Sequence, residues 1–294
     1  MDRIVLEAGT KASRGTGRAL LLAMGLLALA ACNRSPEAEV QDALRDINVI
    51  DESGLNDVMM SMAAPDEAVA YFNRASSANP DRIDLQRGLA QSLIRAGRNT
   101  EATVAWEKVA AHPDATPDDR VELAGAYIRT NQWDQARATL DSIPPTHETF
   151  ARYRYEAMSA DAREDWARAD SFYEIAVGLT TTPASVLNNW GYSKLTRGDY
   201  DGAERLFLDA LRYEPDLFTA KNNLVLARGA QRNYDLPVVP MTQGERAQLL
   251  YTLGLAAIKQ NDVNIGRGLL EDAVETSPTY FEEAARALDA LNEA

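Results

Sequence analysis

Cys32 is the only cysteine in 294 residues, so no internal disulfide can staple the fold and packing alone must stabilise it. Histidine is nearly as scarce. His112 and His147 are the only two, and neither has a second histidine one helical turn away, the spacing a helical zinc site needs. Both lie in proline-flanked sequence that reads as solvated loop, and no metal is expected. Glycine (17) and proline (12) are too few for a fibrous or low-complexity chain. No glycine-rich phosphate loop opens a helix, since Gly15-Thr16-Gly17 sits near the N-terminus without a preceding strand. Basic residues are in deficit, 30 Lys+Arg against 44 Asp+Glu, for a net charge of −14. Such a surface repels nucleic acid and anionic lipid, which excludes a nucleic-acid role. The carboxylate pairs Asp118/Asp119 and Glu282/Glu283 fall at expected helix starts, where they complement the dipole. No catalytic residue and no cofactor are expected, and the chain reads as non-enzymatic.

What is present begins with an address. Arg3, Lys11, Arg14 and Arg18 precede an uncharged run from Ala19 to Ala31. A basic stretch, a short apolar stretch and small residues before a cut describe a secretory signal. The run is shorter than the roughly 20 residues a membrane-spanning helix needs. Leu29-Ala30-Ala31-Cys32 resembles a bacterial lipobox. The resemblance implies cleavage after residue 31, acylation of Cys32 and anchoring by more than one acyl chain, enough for stable attachment. Asn33, in place of an aspartate, implies sorting to the outer membrane, facing the periplasm. An ordinary signal peptide with an incidental cysteine is the alternative. Without residues 1–31 the net charge would be near −16, so the acidity belongs to the folded part.

A fixed period organises the rest. A small residue, a bulky one four later and a small or aliphatic one three beyond recur. The set is Ala68/Phe72/Ala75, Ala102/Trp106/Val109, Ala136/Leu140/Ile143, Ala169/Tyr173/Ala176, Ala203/Phe207/Ala210 and Gly266/Leu270/Ala273. Their first members are 34, 34, 33, 34 and then 63 residues apart; the last gap holds nearly two periods. Thirteen residues ahead of four of them stand Leu89, Leu123, Trp190 and Leu253, each followed by Ala or Gly. Gly97 and Gly198 lie five residues before Ala102 and Ala203, where a turn between helices favours positive φ. Pro80, Pro215 and Pro278 close units.

This register resembles the tetratricopeptide repeat (TPR), over roughly residues 66–278. The resemblance implies an all-α, TPR-type α-solenoid, a right-handed superhelix of antiparallel helix pairs in which no unit hides its apolar face alone. Domain expectations follow: a signal peptide at 1–31, a tether and N-terminal helical segment at 32–65, and the solenoid at 66–294. Two units depart from the pattern. In the fourth, Glu156-Ala157 replaces Leu-Gly, so its first helix is a weak match. In the sixth, a first helix over Phe218–Ala230 runs into Leu236-Pro237-Val238-Val239-Pro240. Pro237 occupies the small-residue position, so an extended segment is expected within an irregular unit at about 218–244. A capping helix is expected at about 280–292. Thr116-Pro117 and Thr182-Pro183 read as caps with proline at the first helical position.

TPR proteins generally bind extended segments along the face made by the first helices. The family's groove positions map to Arg87, Gln91, Arg95, Arg129 and Arg154, with Asp84, Asp118 and Asp161, and further on to Asn188, Tyr192, Asn222, Tyr251 and Lys259. The arginines suggest polar or acidic partner segments. Arg–Asp pairing within a solvated face is the alternative. Trp106, Trp166 and Trp190 read as core and Trp133 as packing between helices.

The C-terminal third carries a closer resemblance. Residues 188–200 (NNWGYSKLTRGDY), 220–227 (AKNNLVLA), 245–251 (ERAQLLY) and 266–271 (GRGLLE) resemble the TadD-like TPR lipoproteins of alphaproteobacterial Tad (tight adherence, Flp pilus) systems. That implies an interaction scaffold in pilus assembly and secretion, pilotin-like toward the outer-membrane secretin. Partners would be the secretin or other assembly subunits, with the membrane met only through the lipid anchor. A general periplasmic TPR adaptor for outer-membrane or cell-wall assembly is the alternative.

Overall fold

The computed structural model describes residues 54–293. The expected signal peptide, Cys32 and most of the tether lie outside them. The chain divides into two compact units, Met1–Ala64 and Pro65–Ala294. Of the first, the described residues form one short helix over 54–61, closed by the Met62 and Ala63 N–H groups on the Val58 carbonyl.

The second unit is helical throughout its described elements. It opens with α1 (Pro65–Ala78) and continues in pairs: α2 (Ile83–Arg95) with α3 (Asn99–Ala110), α4 (Pro117–Arg129) with α5 (Trp133–Asp141), α6 (Phe150–Asp161) with α7 (Trp166–Gly178), and α8 (Ala184–Thr196) with α9 (Tyr200–Tyr213). Then α10 (Phe218–Ala230) stands without a second helix, followed by α11 (Gln243–Lys259) with α12 (Val263–Thr276), and last α13 (Glu282–Glu293). Each helix packs on the next, and α4, α6, α8 and α10 also touch one another in succession. The first helices of neighbouring units thus form one row.

The small-residue register explains the pairing. Ala68, Ala102, Ala136, Ala169 and Ala203 are fully buried, as are Phe72, Trp106, Leu140, Tyr173 and Phe207 beside them. In the opposing helix the small residue makes room for the ring. A Cβ placed on Gly191 would lie 2.6 Å from the Phe207 ring, and one on Gly125 2.5 Å from Tyr155. Burying each such aromatic contributes about 1.5–3 kcal/mol; Gly191 and Phe207 meet within one pair, whereas Gly125 and Tyr155 join the first helices of successive units.

The turn between paired helices is equally regular. Gly97 (φ 70°) and Gly198 (φ 83°) adopt the left-handed conformation, and so do Asn131, Glu164, Arg232 and Asn261, with φ between 57° and 66°. Five of the six stand five residues before the small residue of their second helix, and Arg232 stands five before Pro237, where the sixth unit has none. The repeat therefore imposes this geometry even where the residue has a side chain that disfavours it.

The fourth unit's first helix is regular despite its sequence. Ala157 is fully buried at the small-residue position, and the buried Glu156 lies 3.8 Å from Arg152 and 3.9 Å from Arg168. In the sixth unit the turn is made at Arg232, but residues 233–242 are not helical. Pro237 is buried in the place of the small residue, and Leu236 and Met241 pack against Val225, Leu249 and Leu253, where α10 meets α11 directly. The closing helix begins at Glu282, and its Ala284 packs with Leu250 and Ala273. Thr116 and Asp119 form the expected capping box, with Pro117 first in α4. By contrast α8 starts one residue later than expected: Pro183 is its N-cap, and its carbonyl accepts from Leu187.

Candidate functional site: a groove along the first helices

Two cavities lie along the row of first helices. One, of about 560 Å³, is walled by α6, α8 and α10 together with Trp133 and Trp166, the opening residues of α5 and α7. The other, also about 560 Å³, is walled by α8, α10 and α11 and by Tyr200, which opens α9. Tyr192 and Thr196 line both, and Tyr192 is 53% exposed. Volumes of this size are those of ligand-binding clefts.

Asp161, the last residue of α6, is the only Asp, Glu, Lys or Arg among the described residues in the wall of the first cavity. The Ser193 hydroxyl donates to its Oδ1 and the Tyr173 hydroxyl to its Oδ2, both at 2.7 Å. Burial pushes the Asp161 carboxyl up, and the hydroxyls of Ser193 and Tyr173 and the charge of Arg197 only partly oppose that. The Tyr173 phenol is pushed up strongly, first by burial and then by the Asp161 charge.

Asp170, one turn into α7, behaves oppositely. Burial alone would raise it, but the Trp190 indole (2.6 Å), Arg197 (2.7 Å to each oxygen) and Lys194 (3.0 Å) outweigh burial and hold it below the usual carboxylate value. Lys194 in the last turn of α8 and Arg197 at its C-cap are thereby committed. The Arg197 guanidinium also lies over the Trp166 ring, 5.5 Å from its centroid.

Hydrogen bonds tie the row together. Asn223 Nδ2 donates to Asn188 Oδ1 at 3.1 Å, joining α10 to α8, and Thr252 Oγ1 donates to Asn222 Oδ1 at 2.8 Å, joining α11 to α10.

The groove residues expected from the sequence separate into groups. Asn188, Tyr192 and Asn222 come together in the first cavity, with Asp161; Tyr192 and Lys259 meet in the second. Tyr251 is half-buried against Phe281, ring centroids 5.3 Å apart. Arg87, Gln91, Arg95, Arg129 and Arg154 line neither cavity. Arg87 holds Asp119 through two bonds of 2.7 Å, with Asp119 nearly buried, so this arginine takes the Arg–Asp alternative. Arg154 donates to the Tyr155 hydroxyl at 3.0 Å and lies over that ring at 4.8 Å. Gln91, Arg95 and Arg129 are exposed.

Trp133, Trp166, Met158 and Phe218 were not expected in a groove wall. Trp133, Trp166 and Tyr200 share a signal: each opens a second helix, two residues after a left-handed turn residue. That register aims a ring toward the neighbouring first helix, yet by periodicity alone it reads as packing. The two histidines are more engaged than solvated loops suggest. His147 Nε2 lies 2.8 Å from Asp118, and the His112 ring accepts the Asp114 N–H at 3.1 Å. Among the described residues there is no cluster of metal-ligating side chains, and no helix is long and apolar enough to cross a membrane.

A tetratricopeptide repeat model matches residues 62–120 and 188–236. Among solved structures the chain is similar to the APC/C hetero-tetramer Cut9-Hcn1, at 14% identity and TM-score 0.57, over 79% of this chain and 47% of that one. It is similar also to the human IFIT1 dimer with m7Gppp-AAAA, at 13% identity and TM-score 0.55, over 80% of this chain and 61% of that one. The C-terminal part of a TPR repeat-containing protein from Cytophaga hutchinsonii matches at 14% identity and TM-score 0.50, over 80% of this chain and 98% of that one. The chain spans about half the length of the Cut9-Hcn1 chain, and at these identities the likeness is one of fold. No curated protein matches the sequence. Residues 62–120 and 188–236 match the tetratricopeptide repeat, and the fold of the described residues is the TPR-type α-solenoid.

Proposed function

We propose that the chain is a non-enzymatic interaction scaffold, lipid-anchored through Cys32 at the periplasmic face of the outer membrane, that serves Tad/Flp pilus assembly and secretion. Its partner is the secretin or a neighbouring assembly subunit, and toward the secretin it acts as a pilotin. The observation that carries the scaffold reading is the run of two cavities sharing Tyr192 and Thr196 along one row of helices. A stacked-helix surface with cavities in series suits an extended or helical segment of another protein. The pilus assignment is supported by the resemblance of residues 188–271 to TadD-like lipoproteins, and the anchor by the lipobox-like Leu29–Cys32.

Deletion of the gene tests the assignment. Loss of secretin multimers from outer-membrane fractions, restored by the wild-type chain but not by Tyr192→Ala with Asn222→Ala, is the expected result. Unchanged secretin assembly would remove the pilotin role. Labelled palmitate should enter the protein and be lost in Cys32→Ser; label retained in that variant would remove the anchor.

A further inference from the structure

We infer that the cavity at Asp161 receives a basic side chain, lysine or arginine, from an extended segment of the partner protein, held by the Asp161 carboxylate and the rings of Trp133 and Tyr192. The inference rests on the groove reading and adds the chemistry of what the groove recognises.

Asp161 has unspent capacity as an acceptor. An ionised carboxylate accepts through roughly four lone-pair sites, and the Ser193 and Tyr173 hydroxyls fill two. Both are neutral donors. Asp161 forms no ion pair among the described residues, because the nearby cations Lys194 and Arg197 are bound to Asp170. A half-buried carboxylate with no cation bonded to it is a costly arrangement in a folded chain, and an incoming ammonium or guanidinium would relieve it.

The walls select the same chemistry. Asp161 is the one Asp, Glu, Lys or Arg among the described lining residues, and Arg197 behind the wall is already bound to both oxygens of Asp170. An acidic side chain would meet Asp161 at close range, and a purely apolar one would seal it away from water with only the two hydroxyls of Ser193 and Tyr173 for its charge. Trp133 and the 53%-exposed Tyr192 line the cavity, and aromatic rings attract cations to their faces through the π-quadrupole. The same wall already shows this preference, with the Arg197 guanidinium over Trp166. Aromatic surface for the methylene stem, a carboxylate for the charge and the amides of Asn189 and Asn222 in the same wall match a long basic side chain on an extended backbone.

The test pans a displayed library of random peptides against the full chain, with the Tyr192→Ala/Asn222→Ala variant as counter-selection. Enriched peptides should share an Arg or Lys. Replacing that residue by norleucine, and separately Asp161→Asn in the protein, should each weaken binding about tenfold or more. The two losses should not add, since both remove one interaction. Trp133→Ala should weaken the same peptides, and unchanged circular dichroism and thermal midpoint would show that each variant is folded. Peptides that depend on Tyr192 but lack a shared basic residue, or that tolerate Asp161→Asn within about twofold, would overturn the inference and leave the groove intact. If no peptide distinguishes the wild-type chain from the counter-selection variant, the groove reading falls and takes the inference with it.

Discussion

Lys221 is wholly buried and reaches Glu245 at 2.9 Å, from α10 across to the first turn of α11. The pair spans the place where the sixth unit lacks a second helix and α10 rests directly on α11. Glu245 is doubly used: one oxygen takes the lysine, and the other accepts the Thr242 N–H at 2.7 Å in a capping box. That backbone bond and then Lys221 hold its carboxyl below the usual value.

Glu245→Ala should therefore lower stability by about 3–5 kcal/mol, mostly by stranding the lysine charge. Glu245→Gln should lose less, because glutamine can keep the cap. Lys221→Met, which removes the buried charge and fills a similar volume, should be near neutral or stabilising. Urea denaturation of the three variants checks the order, and a Lys221→Met loss as large as that of Glu245→Ala would refute it.

Gly191 faces the Phe207 ring so closely that a methyl group there would sit 2.6 Å from it. Phe207 is fully buried in a cluster with Leu187, Ala203 and Ala220, so the ring has no room to retreat. Gly191→Ala should cost about 1–3 kcal/mol by overpacking. Adding Phe207→Leu should recover part of that loss although it is itself destabilising alone. A double variant no better than the sum of the singles would mean the strain lies elsewhere.

Much of this architecture was legible because the small residues are sterically obligatory. Ala102, Ala136, Ala169 and Ala203 can be read in register from the sequence, and all four are fully buried. The broken sixth unit was legible for a comparable reason: Pro237 cannot enter a helix interior. The regular fourth unit was not, since Glu156 contradicts an apolar expectation until Arg152 and Arg168 are seen beside it. The groove was legible in its C-terminal part, where Asn188, Tyr192 and Asn222 stand on the exposed face of first helices. It was not legible in its walls. Trp133 and Trp166 belong to second helices, and only the stacking of the units brings each ring into the wall beside the row of first helices.

Glu164 stands at φ 60°, in the turn position that Gly97 and Gly198 fill in other units. A side chain in that conformation costs about 1 kcal/mol relative to glycine. Glu164→Gly should raise stability by roughly 0.5–1 kcal/mol, less what glycine gives back in unfolded-chain entropy. Gly198→Ala should lower it by a similar amount. The denaturation midpoints should move in opposite directions at constant slope; a destabilised Glu164→Gly would show that the glutamate makes a compensating interaction.

Asp119 and Asp161 are displaced in opposite directions, so they should leave opposite marks on stability against pH. For Asp119 burial pushes upward, but Arg87 and the N–H and hydroxyl of Thr116 outweigh it and hold the carboxyl below its ordinary 3.8. A depressed carboxyl stabilises the fold above the unfolded value, and that contribution is lost as pH falls through the folded one. Asp119→Asn should thus cost about 1–3 kcal/mol at pH 7, and the gap to wild type should close only below about pH 4. Asp161 is raised above 3.8 by burial, so its ionised form penalises the fold at neutral pH. That penalty disappears as pH falls from the folded value toward 3.8. Asp161→Asn should therefore leave stability unchanged or higher at pH 7, with any advantage shrinking on the way to pH 4. Denaturation of both variants across that range separates the cases. An Asp161→Asn that is clearly destabilised at pH 7 would mean the carboxylate is held by the fold itself and is not awaiting a cation.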